Sequence, residues 1–166
     1  ARLLAAVGGQ CLGAMHHAVD GGPYGYVGQV LRFSNYSEYV EAQVRDNRKK
    51  LQNQWVPEEG IAMLARWLQD NVLFERKFGI CHGTRSGREQ FWFRQALGWQ
   101  SGSVIGTEIS DTANEFPDTV QLDFHEVRDE WLSRADFIYS NALDHSYDPK
   151  FALAQWMRCL NSQGVL

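Results

Sequence analysis

A glycine-containing turn and two later acids are the residues of this sequence best suited to chemistry. Gly83 and Gly87 directly follow a short apolar run, and Glu108 and Asp123 each stand at the end of a later one. A glycine turn lets the backbone approach a ligand closely, and a carboxylate accepts hydrogen bonds from ribose hydroxyls. Glu108 lies 21 positions after Gly87, near the roughly 20-residue offset of a ribose-binding acid. The pattern therefore favours a nucleoside site.

Each of these features also has a simpler reading. The turn is not a GxGxxG sequence, because Arg85 stands between the two glycines, and no GxxxxGK[ST] phosphate loop occurs. Gly83–Gly87 could be only a tight strand-to-helix turn, and Glu108 could be a solvated loop acid. Asp123 could instead cap the turn that follows it, since Asp often binds local backbone amides.

The elements that must position these residues alternate between strands and helices. Apolar periodicity and turn residues predict strands at 78–81, 103–107, 119–122 and 135–140 and a fifth beginning at 164, with helices at 89–97 and 151–160. This order predicts an α/β fold with a doubly wound, mostly parallel sheet over residues 73–166. Two further helices, at 37–54 and 57–70, make residues 1–72 an N-terminal helical extension. A sequence ending where the fifth strand begins is expected to be part of a longer protein.

Composition narrows the class of protein. The 166 residues are 44% hydrophobic and 22% charged, which is globular and excludes a disordered or fibrous chain. A net charge of -4 gives no general attraction for nucleic acid or anionic lipid. No apolar stretch approaches the ~20 residues of a membrane span. The three cysteines are far apart and suggest neither a disulfide framework nor a metal site, so we expect a cytoplasmic protein.

The order of these landmarks resembles that of class I S-adenosylmethionine (SAM)-dependent methyltransferases. The sequence reads Gly83-x-Arg85-x-Gly87, then Glu108, then Asp123, then Leu-Asp-His-Ser-Tyr-Asp-Pro at 143–149. The last stretch is similar to that family's L-E-H-x-x-D-P element. The resemblance covers about residues 75–166 and implies a Rossmann-like fold with SAM as the cofactor.

The resemblance also implies roles for individual residues. The turn, with Gly83, Thr84, Arg85 and Gly87, would lie under the methionine part of SAM. Glu108 would bind the ribose hydroxyls. Asp123 would accept a hydrogen bond from the adenine amino group, beside the ring of Phe124. Residues at the end of the fourth strand, Ser140 and Asn141, would border both SAM and the methyl acceptor.

Three positions depart from the family's pattern, the mildest being Asp144 in place of the family's Glu before the His. Cys81 stands where the family usually has an acid, two residues before the first glycine. Arg85 replaces the middle glycine, where its side chain could pair with the SAM carboxylate or mark a degenerate site. His125 and Glu126 are predicted to be surface residues, and Asp148-Pro149 is predicted to start a helix.

The expected reaction is methyl transfer to a small molecule or a saccharide unit. Asp144 and His145, with His82 as a further candidate, are the nearest groups that could act as a general base. The N-terminal helices are expected to form a lid, as they often do in the resembling family. Two alternatives remain: a methyltransferase-like binding or scaffold domain without turnover, and an NAD-type dehydrogenase, which the missing GxGxxG disfavours.

Overall fold

The computed structural model describes residues 33–166 and contains one five-stranded, all-parallel sheet. The strand order is β3-β2-β1-β4-β5. The strands are β1 (Gly79–His82), β2 (Val104–Glu108), β3 (Thr119–Gln121), β4 (Ala135–Ser140) and β5 (Leu160–Val165). The strand order reverses between β1 and β4, which is where ligands bind in such sheets. The predicted doubly wound α/β fold is confirmed.

Within residues 33–166 four α-helices accompany the sheet, and local signals set their ends. They are α1 (Tyr36–Lys49), α2 (Glu58–Asn71), α3 (Arg88–Leu97) and α4 (Pro149–Cys159). The Asn35 side chain caps α1 by accepting a hydrogen bond from the amide of Glu38. Asp148 caps α4 in the same way, with Pro149 at the first helical position, so the predicted helix start is confirmed.

Alternating strand residues bury two separate apolar layers, one on each face of the sheet. Ile80 of β1 packs toward α4, beside Ile138 and Trp156. The next residue, Cys81, faces the opposite layer, which α2 and α3 complete. Both layers are closed by fully buried side chains, so the sheet rigidly fixes the loops at its carboxyl edge.

Some predicted boundaries are wrong by a few residues. β5 begins at Leu160 rather than 164, because the chain leaves α4 directly into pairing, with Leu160 opposite Ala135. A register irregularity follows, since the next pair is Phe137 with Val165. α1 ends at Lys49 rather than 54. The predicted domain boundary after residue 72 stays a prediction. The predictions for residues 1–32 lie outside the described residues.

Candidate functional site

The turn after β1 requires glycine at both of its ends. Gly83 and Gly87 have φ values of 71° and 69°, in the left-handed region. A Cβ on Gly83 would lie 2.5 Å from the Cβ of Ala142, and one on Gly87 would lie 2.8 Å from the side-chain Nε2 of Gln90. The amides of Gly83 and Thr84 both donate to the Thr107 carbonyl, at 2.9 and 3.1 Å. These contacts hold the turn against β2 and beside the loop after β4.

Arg85 fastens this turn to the segment between α1 and α2. Its guanidinium donates to the carbonyls of Asn53 at 3.2 Å and Lys50 at 3.4 Å. The guanidinium carbon also lies 5.9 Å from the ring centroid of Trp55. The Arg85 guanidinium, for which pairing with the SAM carboxylate was one expectation, is thus hydrogen-bonded to backbone carbonyls.

Glu108 ends β2 as a buried carboxyl group surrounded by donors. Its two oxygens accept hydrogen bonds from the amides of Arg85, at 3.1 Å, and Ser110, at 2.9 Å. The side chain of Asn47, on α1, also hydrogen-bonds to this carboxyl. Burial raises the pKa of Glu108, and these hydrogen bonds only partly oppose the shift. Glu108 therefore presents buried acceptors at the carboxyl edge, one of which an α1 side chain covers.

Asp123, two residues beyond β3, is the second buried carboxyl group at this edge. One oxygen accepts from the backbone amide of His125 at 2.9 Å and lies 2.6 Å from its Nδ1, while the other accepts from the Tyr36 hydroxyl at 3.0 Å. Burial alone would raise the pKa of Asp123, but the hydrogen bonds from His125 and Tyr36 bring it below its ordinary value. The carboxylate is the stable form, and α1 again supplies one of its donors.

His125 links Asp123 to the loop after β4. It is 2% exposed, so its predicted surface position is wrong: the turn after Asp123 directs the imidazole inward. The other ring nitrogen, Nε2, lies 2.6 Å from the Ser146 hydroxyl oxygen, and the ring stacks on Tyr147 with centroids 3.9 Å apart. The same Ser146 oxygen accepts from the Asp148 amide at 3.1 Å, which makes it a turn-stabilising hydroxyl. The acid–imidazole–hydroxyl series therefore positions Asp123.

One cleft brings most of the predicted cofactor residues together. Its lining includes Gly83, Arg85, Glu108, Asp123 and Phe124, together with residues of α1 such as Asn47 and Tyr39. The cleft holds about 60 Å³, room for only a few water molecules. α1 therefore fills the space above the two carboxylates in this conformation.

Other predicted residues lie at the margin of the cleft or outside it. His145 lines it, whereas the Asp144 side chain is 61% exposed and its carboxylate lies 4.0 Å from the His145 Nε2. The Ser140 hydroxyl is used locally, donating to the His82 carbonyl at 3.0 Å and accepting from the Ala142 amide at 3.1 Å. Asn141 follows it, half-buried.

His82 is unsuited to the role of a base. Its ring is 1% exposed, lies 2.9 Å from the Thr107 hydroxyl and stacks on Trp156 with centroids 4.7 Å apart. Burial lowers the pKa of His82 to about 3, so the ring is neutral near physiological pH and is held in the core.

A larger, apolar cavity lies on the other side of the β4 carboxyl end. It has a volume of about 260 Å³. Aromatic and aliphatic side chains form most of its wall: Leu64, Trp67, Phe93, Tyr139, Leu143 and Trp156. Ser140 contributes to the lining, so this predicted cofactor residue faces the apolar cavity rather than the cleft above Glu108.

Comparison with known proteins does not identify a family. No family model matches the sequence, and no curated protein is significantly similar to it. In the part of the chain that the structure describes, no helix has the length and apolar character needed to cross a membrane. Residues 33–166 also contain no group of three or more His, Cys, Asp or Glu side chains arranged to hold a metal ion.

Proposed function

We propose that this protein is a SAM-dependent methyltransferase that acts on a small-molecule or saccharide acceptor. One observation carries the proposal: the two strand-end carboxyls, Glu108 and Asp123, face the same cleft as the glycine turn after β1. Two acceptors beside a close-approach turn, with the Phe124 ring next to them, suit the ribose and adenine of a nucleoside. Sequence resemblance supplies the identity of that nucleoside as SAM.

The residues present fit such a ligand once α1 is displaced. Asn47 donates to Glu108, and the Tyr36 hydroxyl donates to Asp123. A nucleoside would bring its own donors to these carboxyls, in its ribose hydroxyls and its adenine amino group. Binding would therefore exchange α1 donors for ligand donors, and α1 would move to enlarge the cleft. This use of α1 agrees with the expected role of the N-terminal helices as a lid.

The chemistry asked of the protein is chiefly alignment. When bound, SAM would supply a methyl group on a sulfonium, from which a neutral thioether departs as the good leaving group. The chain's own residues would hold the nucleoside, exclude water and orient the acceptor for in-line attack. His145 borders the cleft and is the candidate to take a proton from an oxygen or nitrogen nucleophile, with Asp144 beside it.

Calorimetric titration tests the cofactor directly. SAM, its demethylated product S-adenosylhomocysteine and NAD would each be titrated into the protein and into Glu108→Ala. Micromolar binding of the first two, lost in Glu108→Ala and kept in the exposed control Glu59→Ala, would support the proposal. Binding of NAD alone would indicate hydride transfer instead. If the folded protein binds none of the three ligands, the proposal of a nucleoside site is wrong.

Turnover needs a separate measurement, because a binding or scaffold domain without turnover would also bind SAM in the titration. Methyl transfer from isotopically labelled SAM would be followed by mass spectrometry across small-molecule and saccharide acceptors. Labelled product from any acceptor would remove the scaffold alternative. SAM binding with no transfer to a broad acceptor set would favour it.

A further inference from the structure

Glu89, in the first turn of α3, has a carboxylate oxygen without a partner. Its Oε1 accepts a hydrogen bond from the Gln54 side chain at 3.2 Å. Its Oε2 is shielded from solvent and has no hydrogen-bond partner among residues 33–166. Burial raises the pKa of this carboxyl. Unpartnered buried acceptors are rare in folded proteins, so this oxygen calls for a specific explanation.

The surroundings of Glu89 define what it lacks. Burial, with a smaller contribution from the nearby charge of Glu89, raises the pKa of both Cys81 and Tyr139, so these two neighbours are neutral. Arg85 and Arg88 contribute positive charge nearby. Yet the Arg85 guanidinium donates to the carbonyls of Lys50 and Asn53, and neither arginine has a hydrogen bond to Glu89 in the described part of the chain. Among the described residues, Glu89 Oε2 therefore lacks a hydrogen-bond donor.

The position of Glu89 says where that donor would come from. Glu89 lies two residues beyond the glycine turn, and its charge acts on Cys81, which is the position where the resembling family usually has an acid. Glu89 is thus a carboxyl from α3 near a place where β1 supplies none. The resemblance implies that the amino-acid portion of the nucleoside lies at this turn, and Glu89 lies behind the turn rather than among the residues that line the cleft.

We propose that Glu89 binds the ammonium group of an amino-acid-bearing nucleoside. The inference rests on the proposed function and adds to it the group that recognises the amino acid. An ammonium beside a shielded carboxylate forms charge-assisted hydrogen bonds, which are shorter and stronger than neutral ones. Glu89, on α3, would then bind the ammonium group in place of the acid that the resembling family usually has at position 81 of β1.

Two ligands that differ in the amino acid alone provide the test. S-adenosylhomocysteine carries the ammonium, and 5′-methylthioadenosine keeps the nucleoside and sulfur but lacks the amino acid. Dissociation constants would be measured for the intact chain, for Glu89→Gln and for Glu59→Gln, an exposed first-turn glutamate of α2 that serves as the control. Glu89→Gln should raise the dissociation constant of S-adenosylhomocysteine at least tenfold. Binding of 5′-methylthioadenosine should change by less than about twofold.

The outcomes separate this inference from the proposed function. Equal losses for both ligands would assign Glu89 a structural role and overturn the inference, as would no loss for either. If the unaltered protein binds neither ligand, the proposed function fails and this inference fails with it. Glu89→Asp keeps the charge with a shorter reach, so an intermediate loss confined to S-adenosylhomocysteine is expected from this second variant.

Discussion

The two ends of the sheet both bury carboxyl groups but surround them differently. At the amino end, Asp136 of β4 is completely buried. It accepts hydrogen bonds from the amides of Glu75 at 2.7 Å, Arg76 at 3.3 Å and Phe78 at 2.9 Å. The Asn161 side chain donates a further one at 2.7 Å. Every one of these donors belongs to the segment entering β1 or to β5, so Asp136 ties the sheet together.

At the carboxyl end, part of the donor set comes from an element outside the sheet. Asn47 and Tyr36, both on α1, donate to Glu108 and Asp123. α1 buries Tyr39 and Asn47, and Arg48 joins it to Asp111 by an exposed ion pair at 2.7 Å. Exposed pairs contribute little to stability. The proposed function requires these α1 donors to be exchanged for those of a ligand.

The comparison gives a criterion for separating structural from binding carboxyls. A carboxyl whose donors all come from the packed sheet contributes to folding. On the proposed function, a carboxyl that takes a donor from a helix outside the sheet, or that has one oxygen without a donor as Glu89 does, has capacity left for a ligand. Burial alone does not distinguish the two, since Asp136 and Glu108 are both buried.

The largest expected effect is the loss of stability in Asp136→Ala. The substitution removes the acceptor of three part-buried amides and of the buried Asn161 side chain, so the free energy of unfolding should fall by about 3 kcal/mol or more. Urea denaturation followed by circular dichroism measures this change. Asp70→Ala, at an exposed site of α2, should be nearly neutral. A loss of less than about 1 kcal/mol in Asp136→Ala would remove the distinction between the two ends.

The sequence predicted the fold well because its signals are local. Apolar runs bounded by turn residues marked four strands, and Asp148-Pro149 marked the start of α4. The start of β5 was missed because the last turn of α4 and the first residues of β5 are continuous in chain and both contain buried residues. Only pairing with β4 separates them.

The site was predicted only in part, because its partners are distant in sequence. Glu108 and Asp123 could be located as strand-end acids, and the structure brings both to one cleft. Tyr36 lies 87 positions from Asp123, so no local pattern indicates their hydrogen bond. The buried position of His125 and the unpartnered oxygen of Glu89 likewise depend on packing between elements. A hint was available for His125, since it follows Asp123 at the spacing of a local side-chain cap.

A smaller effect is expected from Tyr36→Phe, in the opposite direction to most substitutions at a site. Removing the hydroxyl frees one oxygen of Asp123 without changing the ring, so a nucleoside no longer competes with α1 for it. S-adenosylhomocysteine should bind about three- to tenfold tighter, as expected for the loss of one competing hydrogen bond. Tyr147→Phe is the matched control, because Tyr147 stacks on His125 and has no hydrogen bond to Asp123 among those described. Weaker binding in Tyr36→Phe would show that the hydroxyl helps to hold the ligand.

The smallest expected effect is a pH dependence that arises at Asp123. Its pKa in the folded protein lies below the ordinary value of 3.8, so the ionised carboxylate stabilises the fold above that pH. This contribution is lost as the pH falls from 3.8 through the lower pKa of the folded state. The stability difference between the protein and Asp123→Asn should therefore be larger at about pH 5 than at about pH 3. Urea denaturation at both pH values measures it, with Asp129→Asn as an exposed control. A difference that grows at the lower pH would mean that the protonated carboxyl is the stabilised form, and the donors around Asp123 would then not favour its charge.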